Sequence, residues 1–535
     1  MTHHYSSYSH QSRISVFSFL RFNFLIILLF LSFLITCLAF SERLTSVSDS
    51  DHDRSFYSAA REGDIASIQY KINTEYYGKE EKLKQDLNQL DSRSMAPLHY
   101  AAKYGKVEAV RLLVEYGANP LLLGDGQCNP LHFVVKYRPN VLLNDVSDRQ
   151  SSAADRRQSV TWSADGVRSD GFIETLKFLI SEGNMIERNS SKKHVGRTTV
   201  VRKFKDKFIS QDDEFECSPL HYAVYRNNVE AAIILLDHGA DIDDQDHEGQ
   251  TPLHLAALTG SVEIFKLFLE KNADVLKTEN DGTTVLQLAV SEGHQKLAQE
   301  ILSSFESGAL KTSAREVLNQ RDNKNKTVLH YAVEACSAEL MEFLLTNAKS
   351  RDLSNLVNEK TGKPDLAKGK KRSIAWSKTG VTALHLAAEK GLLDVVEVLV
   401  KFGAKVDVAN NAGETPLFLA SQSNNPETVK FLLEKYPNAK GEPDRTGRTP
   451  LLAAADNGHL EVADILLDAQ SDIFKRNKND ENLIFLAASN GHDTFLTHVL
   501  GCFKENNENI LVLVNQQNLH NYTALHIAVE NGHKS

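Results

Sequence analysis

The chain has 535 residues, of which 24% are charged and 41% hydrophobic, and carries a formal charge of -10. That composition is ordinary for a soluble protein, and the charge and a pI near 6.1 argue against wholesale nucleic-acid binding, which leaves a basic footprint. The five cysteines, Cys37, Cys128, Cys217, Cys336 and Cys502, are scattered without close pairs. They suggest neither a zinc site nor a disulfide framework and suit a reducing compartment.

The first 40 residues point the other way. Residues 24–40, FLIILLFLSFLITCLAF, form an uncharged run of 17 residues, roughly 26 Å as a helix and close to a bilayer core. Arg13 and Arg21 precede it and Glu42, Asp49, Asp51 and Asp53 follow, a bias that keeps the N-terminus cytosolic. Cys37 and Ala39 also place small residues where a signal peptidase cuts. Segment 1–40 is thus read as a signal or anchor, with a cytosolic or artefactual extension as the alternative. Residues 41–53, rich in Ser and Asp, read as a polar linker.

From Arg54 onward one pattern recurs, seen most cleanly in 248–280, EGQTPLHLAALTGSVEIFKLFLEKNADVLKTEN. Thr251 is an N-cap, Pro252 fits the first helical turn, and Leu253, Ala256 and Ala257 give a narrow apolar side. Gly260 stops this helix, and Ile264, Leu267 and Phe268 repeat at helical spacing on a second one. Two such helices cannot bury both apolar stripes alone, so the unit needs a copy on each side. Copies exist: His221, His254 and Gln287 follow one another at 33-residue intervals.

In chain order, RSFYSAAREGDIASIQYKI at 54–72 lacks TPLH and reads as a capping repeat, and a polar helix-forming stretch at 75–90 leads to a second unit with Pro97 and His99. A third unit opens with Pro130 and His132, breaks at about 140–170, and resumes at Phe172. The break lacks apolar periodicity and is expected to be a loop. Regular units continue with Pro219 and His221; Thr251, Pro252, His254 and Gly260; Thr327 and His330; Thr382 and His385; Thr415 and Pro416; Thr449 and Pro450. A degenerate unit starts at Asn482, and the last, with Thr523 and His526, stops at Ser535 where its second helix should begin. That end is expected of a fragment, a truncated gene model or a splice form. The expected organisation is loop-interrupted repeats over 54–189, a basic then acidic insert over 190–216, and the main array over 217–535.

The 33-residue period with TPLH and GA turns resembles the ankyrin-repeat family. The resemblance covers nearly everything after Arg54 and implies an all-α solenoid of helical hairpins with β-turn fingers, about 11–12 repeats, the last incomplete. In that family the first-turn histidine bonds locally and ties repeats together. His99, His132, His221, His254, His330, His385 and His526 occupy this slot, and equivalent side chains spaced along a ladder do not converge on one metal. No HExxH, paired CxxC, GxSxG or P-loop is present, so neither catalysis nor a cofactor nor a metal is expected.

What remains is binding by shape. The family docks protein partners on the concave side formed by finger tips and first helices; here those positions include Asp243, Asp244, Asp246 and His247 at one finger and Lys277, Glu279 and Asp281 at the next. Ser159 and Ser373, each behind two basic residues in an expected loop, are candidate phosphorylation sites. The opening SFYSAAREGDI followed by PLHYAAKYGKVEAVRLLVEYGANP is similar to channels of the TRPA type, the ankyrin-rich branch of the transient receptor potential family. That likeness implies the cytosolic array of a membrane-associated homotetrameric cation channel whose pore is not in this chain. A soluble or membrane-tethered adaptor is the alternative, and a working signal peptide would instead place the chain in the lumen or outside.

Overall fold

The computed structural model describes residues 55–137, 160–162, 168–192, 208–306, 314–348, 353–362, 379–502 and 507–533. The apolar run at 24–40, the linker, the basic stretch at 193–207, Ser159 and Ser373 lie outside the described residues.

The unit at 248–280 shows why the sequence folds as it does. Thr251 has extended backbone (φ -85°, ψ 163°) and its hydroxyl accepts the His254 N–H, so the helix Pro252–Thr259 starts capped, with proline where no hydrogen bond is lost. It ends at Gly260, whose φ of 71° is open to glycine at no steric cost. Ser261 then caps Val262–Glu270, which buries Ile264, Phe265 and Phe268. The expected Leu267 is only half-buried; Phe265 takes its place, because the contact stripe includes Phe265 together with Ile264 and Phe268.

The same hairpin recurs through the chain, with twelve first helices among the described residues, from Phe56–Glu62 to Ala524–Glu530. First helices stack on first helices: Pro219–Tyr225 on Pro252–Thr259, and Ala383–Lys390 on Pro416–Gln422 on Pro450–Asp456. The fold is therefore an all-α solenoid of helical hairpins, divided into two compact units at Asn280 and Asp281.

Two sequence expectations need correction. The break in the third repeat contains paired strands, Val160–Trp162 and Arg168–Asp170, antiparallel with Val160 opposite Asp170. Val160, Thr161 and Trp162 favour extended backbone, a short-range signal that the search for helical periodicity passed over. The helix that resumes the repeat, Gly171–Lys192, also runs past the expected edge of the insert at residue 190. Between Asn184 and Lys192 there is no proline or glycine to stop it.

Candidate functional site

The first-turn histidines form a ladder, and the ladder fixes their tautomer. Nδ1 accepts the backbone N–H of the N-cap residue, as from Ser218 to His221 (3.1 Å) and Thr382 to His385 (3.1 Å). The proton therefore sits on Nε2, which donates to a carbonyl of the next repeat: His99 to Leu122 (3.0 Å), His132 to Cys217, His221 to Gln250, His330 to Val381 and His385 to Glu414 (3.1 Å each). Burial pushes His99, His132, His330 and His385 down to about 4 and lowers His221 as well. Gln287 reproduces the same pair of bonds: Oε1 accepts from Thr284 N–H (2.9 Å) and Nε2 donates to Gln320 O (3.0 Å).

Where the slot holds Phe418, Leu452 or Phe485, the tie moves to the hairpin turn. His459 Nε2 donates back to Gln422 O (3.0 Å), His492 to Asp456 O (2.9 Å) and His533 to Ser489 O (3.0 Å). These histidines are structural couplers. Among the described residues no group of His, Cys, Asp and Glu is placed to hold a metal ion.

The other motif prolines and threonines sit at the starts of first helices. Pro97, Pro130, Pro219, Pro416 and Pro450 open their helices at the first turn. The Thr415, Thr449 and Thr523 hydroxyls accept from Phe418, Leu452 and His526 N–H, and Thr327 N–H donates to His330 Nδ1 (3.1 Å). The partner carbonyls that hold the ladder carry a second device that sequence reading missed. Five residues before the N-cap stands Asp91, Asp213, Asp246, Asp322, Asn410, Asp444, Asn477 or Asn518, whose Oδ1 accepts the N–H groups two and four residues on; for Asp246 these are Glu248 (3.0 Å) and Gln250 (2.8 Å). Where the helix reads HY, the tyrosine closes the finger: Tyr100 Oη donates to Asp91 (2.6 Å), Tyr222 to Asp213 (2.6 Å) and Tyr331 to Asp322 (2.8 Å). The signal was present as an acid or amide five positions ahead of these eight caps; Asn129 and Thr382 have Gly124 and Ser377 there.

This device redraws the expected partner surface. Asp246 is buried and belongs to its own finger turn, so it is no contact residue. Asp243 Oδ1 accepts from Asp274 N–H (2.9 Å), and its carbonyl accepts from Lys277 Nζ (2.7 Å). Glu279 accepts from Gln250 (2.7 Å), while His247 lies against the exposed Phe215 with ring centroids 5.9 Å apart. Asp281 opens the second unit, caps Thr283 N–H (2.9 Å), and is exposed. Most of these side chains weld one finger to the next, His247 among them through its Nδ1 and the Phe215 carbonyl (2.9 Å), while Asp281 faces solvent.

Asp244 stands apart. Its carboxyl meets that of Asp212 one finger away, and each has one buried oxygen without a hydrogen-bond partner among the described residues. Burial first, then the charges of Asp212 and Asp241, push Asp244 up to about 7. A folded pKa above the unfolded one means the folded state holds the extra proton between about pH 4 and pH 7, so stability falls as pH rises through that window. Asp244→Asn is therefore expected to raise the urea midpoint at pH about 8 and to leave it unchanged near pH 4. Equal midpoints at both would rule out the shared proton.

Cys128, Cys217 and Cys336 are free thiols. Burial pushes Cys128 up to about 12 and raises Cys217 too, which leaves both poor nucleophiles at neutral pH.

A family model for ankyrin repeats matches residues 56–144, 167–279, 276–355, 352–441, 384–477 and 451–535. The chain is 24% identical over 483 residues to the Homo sapiens transient receptor potential cation channel subfamily A member 1, covering 84% of this chain and 36% of that one. It is 29% identical over 158 residues to Mus musculus Rabankyrin-5, 29% of this chain and 13% of the relative. A probable 26S proteasome regulatory subunit p28 of Saccharomyces cerevisiae is 26% identical over 179 residues, 29% of this chain and 75% of the relative. The chain thus spans about a third of the length of the channel relative. With hairpins, caps and histidine ladder in place along both units, the chain belongs to the ankyrin-repeat family, whose repeats mediate protein–protein interaction.

Proposed function

We propose that this array is the assembly and gating part of a TRPA-type cation channel, held in the cytosol, with the pore outside the chain. The observation that carries this reading is extent: the likeness to the channel runs over 84% of the chain and through both units, whereas Rabankyrin-5 and p28 each match 29% of it. An array of this kind acts without catalysis, by presenting first helices and fingers to neighbouring subunits and cytosolic proteins. The alternative is a free-standing adaptor, favoured by the match to p28, which covers 75% of that protein's length.

Sequencing the transcript beyond the codon for Ser535 separates the two. Six apolar spans with a pore loop are expected; a stop codon after one capping repeat would make the chain an adaptor. Among the described residues no helix is long and apolar enough to cross a membrane.

Sidedness is tested at the sequons, Asn189, Asn325 and Asn521. Thr327 and Thr523 are N-caps, so two of the three motifs arise from repeat chemistry, and Asn189 lies within the helix Gly171–Lys192. Expressed with its own start in animal cells, the chain is expected to show no endoglycosidase-sensitive shift. A shift abolished by Asn189→Gln would place the array in the lumen and remove the channel reading.

A further inference from the structure

The repeat that opens the array is longer than the regular unit. First helices start 33 residues apart from Pro219 to Pro252, but 41 apart from Phe56 to Pro97. The addition is a short helix, Glu80–Leu87, joined to the preceding helix Ile65–Glu75 by a turn over residues 76–79. Only Leu83 and Leu87 of the added helix are buried, and its N-cap residue Lys79 makes no side-chain cap. A helix held by two side chains and started without a cap opens locally far more readily than the stacked first helices do.

Two tyrosines stand in the turn, and their surroundings are opposite. Tyr76 is held on two sides: its hydroxyl donates to Asp86 Oδ2 (2.5 Å), and its ring meets that of Phe56 with centroids 5.7 Å apart. Tyr77 is 87% exposed, and among the described residues its hydroxyl has no hydrogen-bond partner. Gly78 follows in left-handed backbone (φ 71°) with nothing within 4 Å of where a Cβ would stand, so the turn around Tyr77 is open. Tyr70 is 71% exposed too, but it lies inside the helix Ile65–Glu75, where its carbonyl accepts from Thr74 Oγ1 (2.7 Å). An enzyme that takes its acceptor in extended backbone reaches a turn more easily than a helix interior. The comparable joins in other lengthened repeats, at 306–314, 347–353 and 502–507, hold no tyrosine.

The flanks are acidic close in. Within four residues of Tyr77 stand Glu75, Glu80 and Glu81 against one lysine, Lys79, whose Nζ donates to the Glu75 carbonyl (3.1 Å). Lys71 approaches Glu75 (3.6 Å) and Lys84 approaches Glu81 (3.9 Å), surface pairs that leave both carboxylates exposed and only weakly offset. Lys82 and Asp86 lie further along the added helix.

We propose that Tyr77 is a phosphorylation site for a protein tyrosine kinase that selects acidic flanks. The kinase and magnesium-bound ATP supply the step. Tyr77 Oη forms a bond to the γ-phosphorus, the bond from that phosphorus to the β,γ-bridging oxygen breaks, and ADP leaves with the electron pair while the phenolic proton passes to the kinase's general base. The product adds about -1.5 to -2 charges at neutral pH. It does so on a turn outside the stacked core, so the surface changes and the stack does not. The site holds for a channel array and for an adaptor alike.

The test incubates the full chain with a purified tyrosine kinase of the acid-preferring class and magnesium-ATP, then maps the modified residues by mass spectrometry. The free peptide 71–84, KINTEYYGKEEKLK, is the comparison: both of its tyrosines are open and should be modified to similar extents. In the folded chain Tyr77 is expected to exceed Tyr76 about tenfold, because freeing Tyr76 breaks a hydrogen bond to a charged group. Tyr77→Phe should melt with the wild type and lose this label. Three results overturn the proposal: no label on Tyr77 in the full chain, Tyr76 labelled as heavily as Tyr77 in the full chain, or a peptide refused at both positions.

Discussion

Titrated from about pH 7 towards pH 4, the array is expected to lose its helical signal in a steep transition that histidine protonation drives. His99 and His132 in one unit, and His330 and His385 in the other, are pushed to about 4 by burial. Between about pH 6.5 and pH 4 the unfolded chain therefore binds more protons than the folded one, and stability falls with pH through that window; above 6.5 neither state is protonated and nothing is lost. Together the two buried rings cost each unit on the order of several kcal/mol as they protonate. That is of the order of a whole domain's stability. The geometry says why: a protonated ring turns Nδ1 from the acceptor of the N-cap N–H into a second donor facing it. Carboxylates titrate near pH 4 as well, and the chain itself supplies the control. Gln287 makes both bonds of the slot and cannot be protonated. H330Q/H385Q is therefore expected to keep the fold at neutral pH and shift the acid midpoint of its unit downward in circular dichroism at 222 nm. An unchanged midpoint would mean that other groups drive acid unfolding.

That control also marks how far the sequence could be read. The caps at Thr251, Thr382 and Thr415 and the stop at Gly260 were legible because each acts over four residues, within the reach of local chemistry. The histidine slot was legible as a ladder, yet the carbonyls it reaches lie 23 residues on for His99, 85 for His132 and 51 for His330. Inserts set these distances, so periodicity alone hides them. The finger face was read as exposed because turn residues are polar, but polarity there serves the turn. Asp246 and Asp243 hold backbone N–H groups inside and between fingers, and only geometry separates such a carboxylate from one offered to a partner.

Leu253→Ala should lower the stability of its unit by about 2–5 kcal/mol, the range for deleting a fully buried leucine. Leu253 is 0% exposed, in the second position of Pro252–Thr259. That helix packs against Pro219–Tyr225 of the preceding repeat and against its own partner Val262–Glu270, so the truncation opens a void where three helices meet. Collapse into the void is limited, because Thr251 and Pro252 pin the first turn and the Thr251 N–H bond to His254 (3.1 Å) holds its register. In a stacked array each repeat is stabilised mainly by its neighbours, so the loss extends to the adjoining repeats and stays inside the unit. Ile233→Ala is the matched control: Ile233 lies on the second helix Val229–Asp237 of the preceding repeat and is 37% exposed, and truncation there is expected to cost about 1 kcal/mol or less. Urea melts followed by circular dichroism read both variants. Leu253→Ala should bring forward the transition of its unit while Ile233→Ala barely moves it. Coincident curves for wild type and Leu253→Ala would remove Leu253 from the core and, with it, the packing of first helix on first helix that builds this unit.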